Sequence, residues 1–541
     1  MVADGLNPAS AGSKGADTTG AVAENAATRT AGGRSGEHYD VIIVGARCAG
    51  SPLGALLARA GLKVAVVEQA TFPRTTLSSH LMEADGLLFL KRLGVLEEVK
   101  KTGARFMQNI DLRLNDFQAV QRFPLRFDDV GGAAFLRRHL LDAILADAAA
   151  ESGAEMRMGT KVVELVWERG RVSGVRVQHG GTETTLHAPL VVGADGRSST
   201  VAYMVGSRRY NVIPNERSYY FTFFEGADPE WCDLLVLHRW ADRMVWAGAA
   251  DSGLYLVGVS PETHERDYFR SNTEAGLMAH MRRCESTARA LGDAKIATKI
   301  FGIRNFDGYF RQATGPGWVL AGDSGHFKDP ALGRGIGDAF IQAEALAPAI
   351  IAGLGGAAAL DTSLGRWAEW RDDRFEGHYW LASNLGRAGT FPDMVQEAAR
   401  GLQRRGDLDK FFDLLSHRSR YDDVFPMRDL TAATGRRFLA ASGNRGPLLK
   451  QAVSLLARDQ QRRWNKVRPR LAASDTTAAP RAEVPAPAPA ALTGAAPVLV
   501  PSQAVSPDAA ATAATPVAEP RNGRERKASE KAAALAESGQ N

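Results

Sequence analysis

Apolar residues gather along this chain into short β-branched runs and longer Ala/Leu-rich stretches. Tyr39-Asp40-Val41-Ile42-Ile43-Val44 is a run of the kind that parallel sheets bury on both faces. An Ala/Leu-rich stretch reaching about Arg59 predicts a helix, and Gly61 supplies its left-handed cap. Lys63-Val64-Ala65-Val66-Val67 predicts a second strand. Two further runs, Pro189–Val192 and Gly317–Leu320, predict strands much later in the chain, and an apolar helix is expected from about Asp338. Between Ala202 and Ile303 the pattern becomes alternating and aromatic. Tyr219–Phe224, Arg243–Trp246 and Leu254–Val259 there predict strands of a separate sheet, with a Tyr/Phe stripe suited either to a flat apolar ligand or to ordinary core. From Asp361 to about Arg470 the pattern is helical and rich in Arg.

Composition sets the limits of the folded part. Every Trp, Tyr and Phe lies between His38 and Arg470, and the flanking segments are rich in Ala with Gly, Thr, Ser or Pro. Such segments bury too little apolar surface to offset chain ordering, so residues 1–37 and 471–541 are expected to be disordered tails. The net charge of +5 is small and spread out, which gives no support for nucleic-acid binding. Cys48, Cys232 and Cys284 form no C-x-x-C pair and cannot build a disulfide framework, so a reducing, cytoplasmic location is expected. The longest uncharged apolar stretch, Ala345–Leu360, falls short of the ~20 residues of a membrane span. Pro348 and several glycines interrupt it, so a buried helix ending in a Gly-rich loop is expected and no transmembrane segment.

The first strand runs directly into Gly45-Ala46-Arg47-Cys48-Ala49-Gly50, and the second ends in Glu68. Strand, Gly-rich turn, helix, strand and terminal acid together form a dinucleotide-binding unit. Gly45 serves the tight turn, Gly50 the close helix–sheet packing, and the helix N-terminus would face a pyrophosphate. Glu68 is placed to accept from a ribose. Arg47 stands where the pattern has its middle glycine. Its side chain would either obstruct approach to the phosphates or face the pyrophosphate or flavin itself.

Two later segments add Asp195-Gly196 and Gly317-Trp318-Val319-Leu320-Ala321-Gly322-Asp323-Ser324-Gly325-His326, with Pro330, Gly333, Gly335 and Gly337 following. In this combination the chain resembles the para-hydroxybenzoate hydroxylase-like, class A FAD-dependent monooxygenases and the related geranylgeranyl-reductase-like FAD oxidoreductases, over about Asp40 to Leu346. Ser324 and Gly325 replace two alanines of the family pattern. The resemblance implies a Rossmann-like α/β FAD-binding domain in two parts, 38–201 and 304–360. It further implies an inserted mixed β-sheet substrate domain, 202–303, and a helical C-terminal region, 361–470. It implies noncovalent FAD, with Asp323 on the ribityl chain and the helix after Gly335 directed at the flavin pyrimidine. Asp195 and Gly196 would stabilise the binding turn, Arg138 would contact the flavin, and the backbone of Val162 would meet adenine. Arg74 belongs to the segment after the second strand, and Gly322, Pro330 and Gly333 belong to the third motif.

No residue stands out as a catalytic base; His80 and His326 are weak candidates. No second G-x-G-x-x-G follows a strand, so a separate nicotinamide domain is not expected; the C-x-x-x-x-C of disulfide reductases and the W-x-W-x-I-P of flavin halogenases are missing too. The resemblance then implies reduction of FAD by NADPH or NADH at a transient site. Reaction with O2 would give a C4a-hydroperoxide and hydroxylation of an apolar aromatic or polycyclic small molecule. A C=C reductase and a flavin-binding accessory protein are the alternatives. Oligomeric state has no signature in the sequence.

Overall fold

The computed structural model describes residues 36–304, 306–440 and 445–473. The expected tails lie outside these residues except at their inner edges: Glu37–His38 pairs with Thr182–His187, and the last helix runs Gly446–Ala473.

Six strands make the cofactor-half sheet, in the order Thr314–Gly315, Trp318–Leu320, Val191–Gly193, Val41–Val44, Val64–Val67 and Glu155–Arg157. All pairs are parallel except that of Thr314–Gly315. Burial on both faces explains the unbroken apolar runs. Val41 and Ile43 pack under the helices Gly50–Arg59 and Gly335–Gly353, while Ile42 and Val44 pack beneath a second sheet carrying Val162, Val175 and Val177. The expected α/β class and Rossmann-like core are therefore present.

The larger sheet departs from the expected boundaries. Tyr219–Glu225, Arg243–Ala249 and Tyr255–Ser260 belong to an eight-stranded sheet, as their alternation predicts. It also takes the hairpin Asn109–Leu114 and Phe117–Arg122 from within 38–201, laid parallel against Leu234–Trp240. The segment 202–303 is therefore not a closed insertion. Arg209–Ile213 likewise leaves it to pair with Gly308–Arg311. The Tyr/Phe stripe divides between faces: Phe221 and Phe223 join the core that includes Leu81, whereas Tyr220 and Phe224 are buried under Phe269 and Leu277.

The helix expected from about Asp338 begins three residues earlier, as Gly335–Gly353, and the next, Ala357–Leu385, begins within the expected Gly-rich loop. Gly335–Gly353 is long and apolar enough to cross a membrane by length and composition, but Phe340, Ala343, Leu346 and Ile350 are buried in the main core.

An ion pair ties the cofactor half to the large sheet. Asp251, fully buried, accepts from Arg137 N–H at 2.8 Å and from its Nε at 2.7 Å. Asp251→Ala is expected to lower unfolding free energy by roughly 1.5–3 kcal/mol, the range for hydrogen bonds to charged groups. Denaturant titration checks this; a change under ~0.5 kcal/mol would show that the pair holds nothing together.

Candidate active site

The Gly-rich turn is built by close approach. Gly45 has φ +103°, and a Cβ there would lie 2.5 Å from Ala194 O; a Cβ on Gly50 would lie 1.8 Å from Gly45 O. The turn is held from the end of the second strand. Glu68, buried, accepts from Ala46 N–H at 3.1 Å and from Ala70 N–H at 2.9 Å. Arg47 turns inward rather than out to solvent. Its guanidinium bonds Thr76 Oγ1, lies 3.9 Å from Glu68 Oε2 and 3.8 Å from Asp142 Oδ2, and sits over the Phe72 ring at 5.7 Å.

Asp142 is fully buried and organises the next layer. Arg138 reaches its Oδ1 through Nε at 3.0 Å and Nη2 at 2.8 Å, and Cys48 Sγ lies 3.6 Å away. Burial works against the Arg138 charge, but Asp142 more than restores it, so its pKa stands above the ordinary guanidinium value. The same burial raises the Cys48 thiol to about 12. Arg138 N–H points at His80 Nδ1, 3.3 Å away. His80 has φ +59°, is buried, and packs edge-on against Phe221 and Phe223. Burial, then the Arg138 charge, lowers its pKa to about 3, so the ring is neutral at neutral pH.

The third motif closes the groove. Gly322 has φ +64° and its N–H donates to Gln342 Oε1 at 2.9 Å. Ser324 Oγ bridges the carbonyls of Gly193 at 2.5 Å and Ala321 at 2.6 Å. Gly325 makes room for Arg371, whose Nη1 donates to its carbonyl at 3.1 Å and would lie 2.8 Å from an added Cβ. The Asp323 carboxylate receives no hydrogen bond from the described residues. Burial raises its pKa to about 6 against the pull of Arg197 and Arg138. A desolvated acceptor with no partner suits a ligand's hydroxyl groups.

Beside these loops lies an apolar cavity. Pro330–Gly333 form one side, Leu112, Leu235, Leu237 and Trp246 of the large sheet another, and Leu385, Phe391, Phe411 and Phe425 of the C-terminal helical region a third. Tyr219, on its rim, donates to Asp329 Oδ1 at 2.6 Å and so ties the sheet to the loop. Among the described residues no cluster suited to a metal ion is present.

A βαβ turn with an acid at the second strand's end, an unpartnered aspartate on a third loop and an apolar cavity alongside are the parts of a flavin site. The FAD binding domain family matches residues 38–365, more than half of the chain. The chain belongs to this FAD-binding family. It is an FAD-dependent oxidoreductase. This flavoprotein is similar to digeranylgeranylglycerophospholipid reductase of Methanothrix thermoacetophila, 26% identical over 338 residues that cover 61% of this chain and 83% of that one. It is also similar to 6-methylpretetramide 4-monooxygenase of Streptomyces rimosus, 27% identical over 334 residues, 59% of this chain and 77% of that one. The solved structure of flavin-dependent brominase Bmp2 matches with TM-score 0.62 at 17% identity, covering 74% of this chain and 100% of its own. P. aeruginosa PqsL in complex with 2-aminobenzoylacetate matches with TM-score 0.55 at 20% identity, covering 70% and 100%. At such identities these structures establish a shared fold.

The flavoprotein brings Gly45, Arg47, Gly50, Glu68 and Arg138 into one connected group, with Asp323 electrostatically coupled to Arg138. Val162 is buried in the same core as Val44 and Val67. The Asp195 carboxylate is spent within its own turn, accepting from Ser199 Oγ at 2.5 Å and Thr200 N–H at 2.7 Å beside Gly196 at φ +79°. Gly333, at φ +70°, and Gly335 flank the start of the long helix. Arg74 does not join the group: it is exposed and without a described partner. His326 also stands apart, boxed by Phe310, Phe375 and Tyr379 and held neutral by burial. Asp142 was missed in the sequence, although its spacing of four from Arg138 on a helix is a readable signal.

Two outcomes are expected. In apoprotein the Asp323 charge is disfavoured, because its folded-state pKa of about 6 lies above the ordinary carboxylate value of 3.8. Stability is therefore lost as pH rises through this window and stays low above it. Asp323→Asn should raise the apoprotein thermal midpoint near pH 8, with the gain fading towards pH 4, while FAD affinity falls about 10- to 100-fold. Parallel falls in both would contradict a ligand-facing role. Arg47→Ala should weaken FAD binding roughly tenfold in a fluorescence titration; unchanged affinity would remove Arg47 from the site.

Proposed function

We propose that this flavoprotein is a monooxygenase that uses NADPH or NADH and O2 to hydroxylate an apolar aromatic or polycyclic small molecule bound in the cavity beside Pro330–Gly333. The observation that carries this reading is the cavity itself, walled chiefly by Leu, Phe, Val and Trp and bordered by the motif loop. FAD, when bound, supplies the two-electron redox chemistry. Gly45, Gly50 and the helix after them would receive the pyrophosphate, Glu68 the ribose, and Asp323 the ribityl chain. The start of Gly335–Gly353 would offer unpaired N–H groups to the flavin, favouring negative charge there by roughly 0.3–2 kcal/mol.

The chain's own residues do the remaining work. Leu112, Leu235, Leu237, Phe391 and Phe411 would exclude water from the bound substrate. The Tyr219–Asp329 bond would hold the sheet at a fixed distance from the loop, and so the substrate from the redox centre. His80 is neutral and buried, which suits orientation of the Arg138 backbone better than proton transfer.

A second reading, reduction of C=C bonds in an isoprenoid chain, is favoured by the same apolar walls and by the similarity to digeranylgeranylglycerophospholipid reductase. Incubation of the FAD-loaded enzyme with NADPH or NADH under 18O2, against panels of polycyclic phenols and polyprenyl lipids, separates the two. Incorporation of one 18O atom into a phenol is expected. A gain of two hydrogens in a polyprenyl lipid under anaerobic conditions, with no 18O product, would overturn the first reading in favour of the second.

A further inference from the structure

We propose that Glu83 is the acid–base residue of the cavity, with Oε1 accepting the hydroxyl proton of a phenolic or enolic substrate while Arg334 holds Oε2. The proposal rests on the monooxygenase reading above for its choice of substrate. Glu83 ends the short strand Leu81–Glu83 just before the helix Ala84–Leu93, makes no capping hydrogen bond, and lines the cavity with Leu332 and Gly333. It is 5% exposed, and the carboxylate is divided in use. Oε2 accepts from Arg334 Nη1 at 2.7 Å, whereas Oε1 receives no hydrogen bond from the described residues.

The groups around it set its chemistry. Arg334, 1% exposed, is shared: Asp85 takes Nη1 at 2.8 Å and Nη2 at 2.5 Å, and Asp338 lies 3.9 Å from Nε. Asp338 is itself held by Lys328 at 2.5 Å and by His417 Nε2 at 2.9 Å. Burial first, and then the Asp85 charge, raise the Glu83 pKa to about 7 against the pull of Arg334 and Lys328. A carboxyl poised near neutrality, with Oε2 held by Arg334 and the residue lining an apolar cavity, is arranged for proton exchange rather than for a closed ion pair. In the step, the substrate O–H bond breaks, its electron pair stays on the substrate oxygen, and the proton forms an O–H bond on Glu83. The reverse transfer returns it to product or solvent. No oxidant or reductant is consumed. The resulting oxyanion makes the adjoining carbons electron-rich.

The test compares binding of 2-naphthol and its methyl ether, 2-methoxynaphthalene, to the FAD-loaded full chain between about pH 5.5 and 8.5. Wild type should prefer the naphthol by about tenfold at the upper pH and lose the preference below about pH 6. Glu83→Gln should show a flat ratio, and Glu83→Asp should restore part of the pH dependence. Asp85→Asn should keep the preference but move its midpoint to lower pH, since removing the Asp85 charge eases ionisation of Glu83. Asp85→Asn also answers if Glu83→Gln fails to fold. A flat ratio in wild type, or an unchanged pH-dependent ratio in Glu83→Gln, would overturn the proposal. Hydroxylation under 18O2 without the naphthol preference would refute Glu83 alone. The preference without hydroxylation of any phenol would refute the monooxygenase reading and leave Glu83 as a proton-exchanging residue.

Discussion

Asp142 is a fully buried carboxylate, and much of the cofactor half is arranged around its charge. A charge so placed is tolerated only with partners, and removing one partner of a buried pair costs roughly 3–5 kcal/mol. Arg138 supplies the fork, Arg47 approaches from the Gly-rich turn, and Cys48 Sγ fills the remaining side. The turn, the helix Arg138–Glu151 and the loop containing Thr76 are thereby fixed to one point. The neighbouring arginine faces the other way. Arg137 grips Asp251 on the large sheet, so two consecutive residues join the cofactor groove to the cavity wall. A shift of the helix start would disturb both at once.

The parallel strands, the helix after Gly50 and the third-motif turn were legible because their signals are local: unbroken apolar runs, a glycine at a tight turn, an acid at a strand's end. Glu68 could be read from its place after the second strand. What could not be read depends on partners distant in the chain. Asn109–Leu114 alternates like many solvent-facing strands, and nothing within it says that Leu234–Trp240 lies alongside. His326 shares its motif with Asp323, yet its ring is enclosed by Phe310, Phe375 and Tyr379, two of which come from the helix Ala357–Leu385. Glu83 looks like any acid at the end of a short apolar run. Its special position comes from Arg334, which is 251 residues away in sequence.

The two departures within the third motif each have a physical role. Ser324 stands where the pattern has alanine, and its hydroxyl fastens the loop to the carbonyls of Gly193 and Ala321. Gly325, at the next position, leaves the space that the Arg371 guanidinium takes, and Arg371 itself is fully buried and braced by Asp372 at 2.6 Å. Arg371 also donates to the Arg311 carbonyl at 2.9 Å. The helix Ala357–Leu385 thus reaches through to the cofactor loop, which an alanine at 325 would obstruct. The same helix contributes Leu381 and Leu385 to the cavity. One element therefore fixes the loop that presents Asp323 and forms part of the apolar wall, so cavity shape and loop position cannot be changed independently. Gly325 is thus matched to that helix, while Ser324 fastens the same loop to the end of the strand Val191–Gly193.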